Sequence, residues 1–347
     1  MNEIDLSNKL KIVAYPGPGG ARQYRLMQIA KYIDLLEENA VMVVASEGMS
    51  DYVMDQSDVI ILQGTVDPKN ISWAWAYAKE RGKLLVAELD DYIDITPDHP
   101  MYAEHQRLDA PTFTRALLTV ADIVTTTTED LAKELKEYNK NVFVLPNCLD
   151  FELWGDEPLE NDSDEIRIVW AGSSTHEADL KMLKPVIFEI LEKYPQVKFL
   201  YAGDGNIWKS NLFEKHPRTE YIEPTDLDSW PAKLRSFRAD IGVAPLIDTR
   251  FNRCKSNLKW LEYSAYKIPG VYSNIVYGKT VVDGETGLIA KTPKEFVNQL
   301  SRLIEDKELR KTIGQKAYDE IHKNYDISKN YKQWLTVYKK EYERKQK

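Results

Sequence analysis

Cysteine is nearly absent. Cys148 and Cys254 are the two in 347 residues, with no CxxC pair and no histidine spacing suited to zinc. A disulfide scaffold and a thiol metal centre are thereby excluded, and a reducing compartment fits best. Positive charge is also in deficit: the formal net charge is −9, which argues against nucleic acid as a partner, because phosphate binding needs a net basic face. The one strongly basic stretch is the tail "YKKEYERKQK", read here as a solvated helix end. No apolar run reaches bilayer-spanning length, and "MNEIDLSNKLKIVAY" carries acids where a signal peptide carries positive charge. The expected location is cytoplasmic, with membrane association peripheral at most. No GxGxxG is present and the acid expected at the end of a second strand is missing, so a dinucleotide is disfavoured.

What is there is alternation. Short Val- and Ile-rich runs are separated by amphipathic stretches, the pattern of βαβ units around a parallel sheet. The first half reads "LKIVAYP", "AVMVVAS", "VIILQG", "KLLVAELD", "IVTTTT" and "VFVLPN" as strands. After the acidic, turn-rich "GDEPLENDSDE" (155–165), a linker on this reading, a second series follows: "IRIVWAG", "VKFLYAGDG", "TEYIEP", "ADIGVAPL" and "PGVYSN". The fold class expected is α/β, with two doubly wound parallel-sheet domains, residues 1–154 and 166–327, facing across a cleft. A C-terminal helix within 328–347 is expected to return to the first domain, through Trp334, Leu335 and Tyr338 at helical spacing.

Four strand ends carry candidate chemistry. "YPGPGGARQYR" is a glycine-rich turn entering a helix, suited to an anion or a sugar, though taken alone it reads as a plain tight turn. Arg22 and Arg25 read as helix-surface charges. "VAELDDYID" brings Glu88, Asp90 and Asp91 to a strand's carboxyl end, where paired acids act as a base, bind hydroxyls, hold a metal or simply cap the next segment. "VWAGSSTHEADL" sets Gly172, Ser173 and His176 at another strand end. In "FNRCKSNLKWLEYSAYKIPG", a helix capped by Ser256 and running to about Tyr266 puts Lys255, Lys259 and Glu262 on one stripe. Cations beside a helix N-terminus suit a diphosphate, and a carboxylate deeper in suits a ribose diol. A solvated ion-pair face is the other reading.

These motifs, in this order, resemble the GT-B glycosyltransferases, close to the family 4 or group 1 nucleotide-sugar enzymes. The resemblance spans nearly the whole chain and is strongest from Ile166 to Ala290. It rests on "VWAG", "YAGDG", "ADIGVAPL", "LEYSAYKIPGVYS" and "VVDGETGLIA", the last two being similar to the family's LEAMAxGxPVV and VxDGxxGLLV. It implies that Glu262 holds the donor's ribose and that Gly19 and Gly20 lie beside the donor phosphates. The segment after Gly172, including Ser173 and His176, would face the diphosphate. Two departures stand out: Cys254 replaces the family's first glutamate, and Ser173 replaces its arginine. Lys255, with Ser256 and Lys259 beside it, is therefore expected to supply the missing charge.

The activity implied is transfer of a hexose from a nucleoside-diphosphate sugar, UDP- or GDP-linked, to a glycan, lipid-linked or protein acceptor. Retention of configuration is implied, without metal or further cofactor. Asp90 and Asp91 would bind hydroxyls, or serve as base if the configuration inverts. A nucleotide-sugar epimerase and a non-catalytic glycan- or nucleotide-binding protein are the alternatives.

Overall fold

The computed structural model describes residues 9–17, 20–45, 48–97, 99–155, 157–203, 212–213 and 216–347. Two compact units divide the chain. One comprises Met1–Cys148, Cys254–Ser256 and Ile327–Lys347; the other comprises Leu149–Arg253 and Asn257–Asp326.

The first unit holds β1 (Leu10–Tyr15), β2 (Ala40–Val44), β3 (Val59–Gln63), β4 (Leu84–Leu89), β5 (Ile123–Thr126) and β6 (Val142–Val144). They form one sheet in the order β2-β1-β3-β4-β5-β6, with every pairing parallel. A parallel sheet covered on both faces needs apolar residues at most successive positions, which is why these strands are largely aliphatic. On one face Ile12, Ala14, Val59, Ile61, Leu84, Val86 and Ile123 meet Leu26, Ile29 and Ile33 together with Ile327, Tyr331, Trp334 and Tyr338. The C-terminal helix Lys332–Lys345 is thus part of the first unit's core. Its end is less solvated than the basic tail suggests. Glu341 is buried, Tyr342 donates to Asp58 (3.1 Å), Lys345 pairs with Asp122 (2.6 Å), and Gln346 donates to the Gly82 carbonyl (2.6 Å).

The second unit holds β7 (Ile166–Gly172), β8 (Val197–Gly203), β9 (Thr219–Ile222), β10 (Ile241–Ala244), β11 (Gly270–Ser273) and β12 (Leu288–Ala290). The order is β12-β11-β10-β7-β8-β9, again parallel throughout. β12 was not among the strands expected from the sequence. Helices Glu177–Lys193 and Pro293–Glu305 cover one face through Leu180, Leu183, Ile187, Phe296 and Leu300. The helix Leu258–Ala265 presses on the other so closely that a Cβ at residue 242 would lie 2.4 Å from the Tyr263 ring, so Gly242 is sterically required. Residues of the acidic stretch 155–165 run along this unit: Asn161 donates to Asp240 (2.8 Å) and Arg238 pairs with Asp162 (3.2 Å).

Arg25, expected on a helix surface, is 1% exposed and lies in the first unit's interior. Its Nε meets Glu88 Oε1 at 2.7 Å and its Nη2 meets Oε2 at 3.3 Å; the remaining N–H groups reach the carbonyls of Leu145 and Thr126 and the side chain of Asn147. The Trp334 ring lies 5.4 Å from the guanidinium. A buried ion pair holds because each member neutralises the other; removing one strands a charge in an apolar interior. We expect Glu88→Ala to destabilise the protein by about 3–5 kcal/mol, with Arg25→Met/Glu88→Leu losing less than Glu88→Ala alone, as measured by urea denaturation.

Candidate functional site

Ligands of open parallel sheets bind beyond the strands' carboxyl ends, where neighbouring connections diverge. The strand orders put that point between β1 and β3 in the first unit and between β7 and β10 in the second.

In the second unit, β7 ends at Gly172, where a Cβ would meet Trp170 Cζ2 at 2.7 Å and His176 Cδ2 at 3.3 Å. The glycine lets the imidazole lie across the strand end. His176 Nδ1 is 2.8 Å from Asp179 Oδ2. The other oxygen of this buried carboxylate accepts from the Ile247 backbone N–H (2.7 Å) and from Asn252 Nδ2 (2.9 Å). Asp179 therefore joins the start of the helix after β7 to the segment after β10, across the divergence point. Ser173 Oγ lies 2.7 Å from Thr175 Oγ1, so the two hydroxyls bond each other.

The helix expected from Ser256 begins later. Asn257 is its N-cap and Leu258 its first residue, so Lys255 precedes it and shares no stripe with Lys259 and Glu262. Those two form an i,i+3 ion pair at 3.1 Å, Glu262 being 3% exposed. The helix is fixed beside β7 by Tyr263, whose buried hydroxyl accepts from the Ala171 N–H at 3.2 Å. Burial, then the charge of Glu262, pushes the Tyr263 pKa well up, so the phenol stays neutral.

Lys255 and Ser256 group instead with the first unit. Lys255 Nζ lies 3.2 Å from Asp91 Oδ1, Ser256 Oγ accepts from Asn147 Nδ2 at 3.0 Å, and the Cys254 carbonyl accepts from Thr128 Oγ1 at 3.0 Å. Of the acids after β4, Glu88 is committed to Arg25 and to Thr125 Oγ1 (2.5 Å). Asp91 pairs with Lys255. The Asp90 carboxyl is pushed up to about 7, first by burial, then by the charges of Asp91 and Glu88, with Arg25 and Lys255 opposing. Gly20 is exposed and its carbonyl accepts from the Gln23 N–H at 3.1 Å. Gly19, like the Asp204-Gly205 turn, lies outside the described residues.

The structure thus sorts the expected residues into two sets. Asp90, Asp91, Lys255 and Ser256 belong to the first unit; Gly172, Ser173, His176, Lys259 and Glu262 belong to the second. Asp179 and Asn252 were not foreseen. The signal available was "HEAD" at a helix start, which also fits an acid that merely complements the helix dipole. Among the described residues no cluster of three metal-ligating side chains occurs, and no helix is long and apolar enough to cross a membrane.

A two-unit α/β molecule of this topology has the GT-B glycosyltransferase fold, and residues 165–306 match the family model described as glycosyl transferases group 1. Among solved structures, the chain is similar to Anabaena HepE in complex with UDP and glucose (TM-score 0.66, 15% identity, 94% of this chain and 99% of that one). It is also similar to TarM (TM-score 0.60, 13% identity, 81% of this chain), of whose length it spans 54%. A third is a Listeria monocytogenes protein assigned as a UDP-N-acetylglucosamine 2-epimerase (TM-score 0.58, 13% identity, 97% of each chain). No curated protein matches the chain by sequence.

The raised Asp90 pKa has a definite consequence for stability. The folded state holds this proton more tightly than the unfolded chain, so ionisation from about pH 4 to about pH 7 costs the folded state free energy. Asp90→Asn removes that cost. We expect it to stabilise the protein at pH 8 by on the order of 4 kcal/mol, with the gain vanishing near pH 4, as read from denaturation curves at the two pH values.

Proposed function

We propose that the protein is a glycosyltransferase that takes a nucleoside-diphosphate sugar as donor and passes the sugar to a carbohydrate-containing acceptor. The observation that carries this reading is the second unit's arrangement at the β7/β10 divergence: a sterically required glycine, an imidazole held by a buried carboxylate, and the Lys259–Glu262 pair, all within the region that matches the family model. HepE, of the same fold, is described in complex with UDP-glucose, which favours a UDP-hexose as the donor to test first.

In this reading Glu262 accepts hydrogen bonds from the ribose diol. His176 and Lys259 face the diphosphate, where negative charge builds as the glycosidic bond to the leaving group breaks. Gly172 and Ser173 let the donor approach the backbone. Lys255, paired with Asp91 here, adds a further cation when it exchanges that carboxylate for phosphate. Asp90 and Asp91 engage sugar hydroxyls. Configuration is retained, no protein nucleophile is assigned, and no cofactor beyond the donor is required; a cytoplasmic location accords with the scarcity of cysteine.

Calorimetric titration with UDP and with uridine tests the assignment. Glu262→Gln should weaken both ligands by roughly 1.5–3 kcal/mol, since a charge-assisted pair of hydrogen bonds is lost. His176→Ala should weaken UDP while leaving uridine unchanged. Wild-type affinity in both variants would place the nucleotide elsewhere. The likeness to the Listeria structure favours one second reading, a nucleotide-sugar epimerase. Incubation with UDP-glucose or UDP-N-acetylglucosamine and no acceptor separates the two, because an epimerase converts the donor alone.

A further inference from the structure

Gln63, the last residue of β3, is 3% exposed, and among the described residues neither Nε2 nor Oε1 of its amide has a hydrogen-bond partner. A buried amide left unpaired costs free energy at both its donor and its acceptor, and native interiors seldom tolerate it. The neighbours cannot help. Gln63 pairs in register with Glu88, and Glu88 with Thr125, so the three side chains share one face of the sheet. Both Glu88 oxygens are already taken by Arg25 and Thr125. Trp334, on the helix covering this face, likewise buries an indole N–H without a partner.

The position is as informative as the orphaned atoms. Gln63 stands at the β1/β3 divergence, where a parallel sheet receives its ligand. The chain leaving β1 crosses it so tightly that a Cβ at Gly17 would lie 2.4 Å from the Gln63 carbonyl oxygen. The β3–β4 ladder continues past it through Gly64 N–H to the Glu88 carbonyl (3.1 Å), so its backbone is engaged and only the side chain is left over. Asp90 lies two residues beyond Glu88 on the adjoining strand end.

We propose that Gln63 is a specificity-determining residue that reads hydroxyl groups of a sugar acceptor in the first unit. A carboxamide offers one acceptor and a pair of donors, the complement of neighbouring sugar hydroxyls, each of which both donates and accepts. The assignment rests on the transferase reading and gives it an acceptor chemistry: an unmodified, hydroxyl-rich pyranose rather than an apolar or anionic group.

The test is thermal unfolding of the wild type and Gln63→Leu alone, with UDP, and with glucose, N-acetylglucosamine or octyl glucoside, beside transfer from UDP-glucose to the same three sugars. Leucine removes the unpaired amide at similar volume, so the free variant should melt no lower than wild type and bind UDP equally. It should lose the sugar-induced shift and raise the KM for the sugar at least tenfold. Equal sugar shifts and KM in the two proteins would reduce Gln63 to an internally hydrated amide and overturn the proposal. So would a wild type that responds to none of the three sugars. A wild type that responds to sugar but not to UDP would sink the nucleotide reading while leaving this one standing. Should Gln63→Leu fail to fold, Gln63→Met carries the same comparison.

Discussion

The buried contact between Arg25 and Glu88 is the constraint on which the first unit is arranged. Moving a guanidinium and a carboxylate out of water is expensive, and their attraction offsets the cost only when their remaining donors and acceptors are also satisfied. That requirement reaches into five segments. Arg25 comes from the helical segment after β1, Glu88 from β4, Thr125 and the Thr126 carbonyl from β5, and Leu145 and Asn147 from the chain leaving β6. The fifth is the C-terminal helix, whose Trp334 lies over the guanidinium and whose Tyr338 is fully buried. The helix at the far end of the chain thus closes the apolar face and shields the ion pair with the same two aromatic residues.

The second unit solves a related problem with one carboxylate. Asp179 holds the His176 ring with one oxygen and the Ile247 N–H and Asn252 amide with the other. Those partners follow β7 and β10, the strands between which the connections diverge. In each unit, then, a buried acid near the carboxyl ends ties together loops that the sheet leaves apart. The difference is in the partner. Arg25 is sealed inside and makes its full set of bonds within the core, whereas the His176 imidazole lies against Gly172, at a strand end where the backbone itself is approachable. The first arrangement maintains structure; the second can orient a ring toward a ligand.

How much of this could be read from the sequence follows from the physics of each element. Eleven of the strands were legible as short runs rich in aliphatic, β-branched or aromatic residues bounded by turn signals, most of them buried on both faces. β12 was not, although it is no shorter than β6; its three residues follow directly on the turn-forming "DGETG". Glu262 and Lys259 were placed on a common helix face correctly, because i and i+3 are neighbours wherever that helix starts. Lys255 was misplaced because its face depends on the first residue, and the cap is Asn257 rather than Ser256. Arg25 was hidden for a different reason. A charged residue at a helical position reads as exposed unless its partner is known, and Glu88 lies 63 positions away. Burial of a charge is a tertiary fact, and local pattern carries no trace of it.

The same distinction separates the polar groups gathered where β3 and β4 end. Glu88 has a full complement of partners and behaves as structure. Gln63 is equally buried and has none at its side chain among the described residues. Asp90 lies between these cases. The nearest guanidinium is already committed to Glu88, so Asp90 meets burial and two other carboxylates with only partial relief, and its proton affinity settles near neutrality. An acid with that affinity exchanges a proton readily at physiological pH, which is the property general acid–base chemistry requires. The ion pair that stabilises this core is therefore also what leaves Asp90 able to titrate.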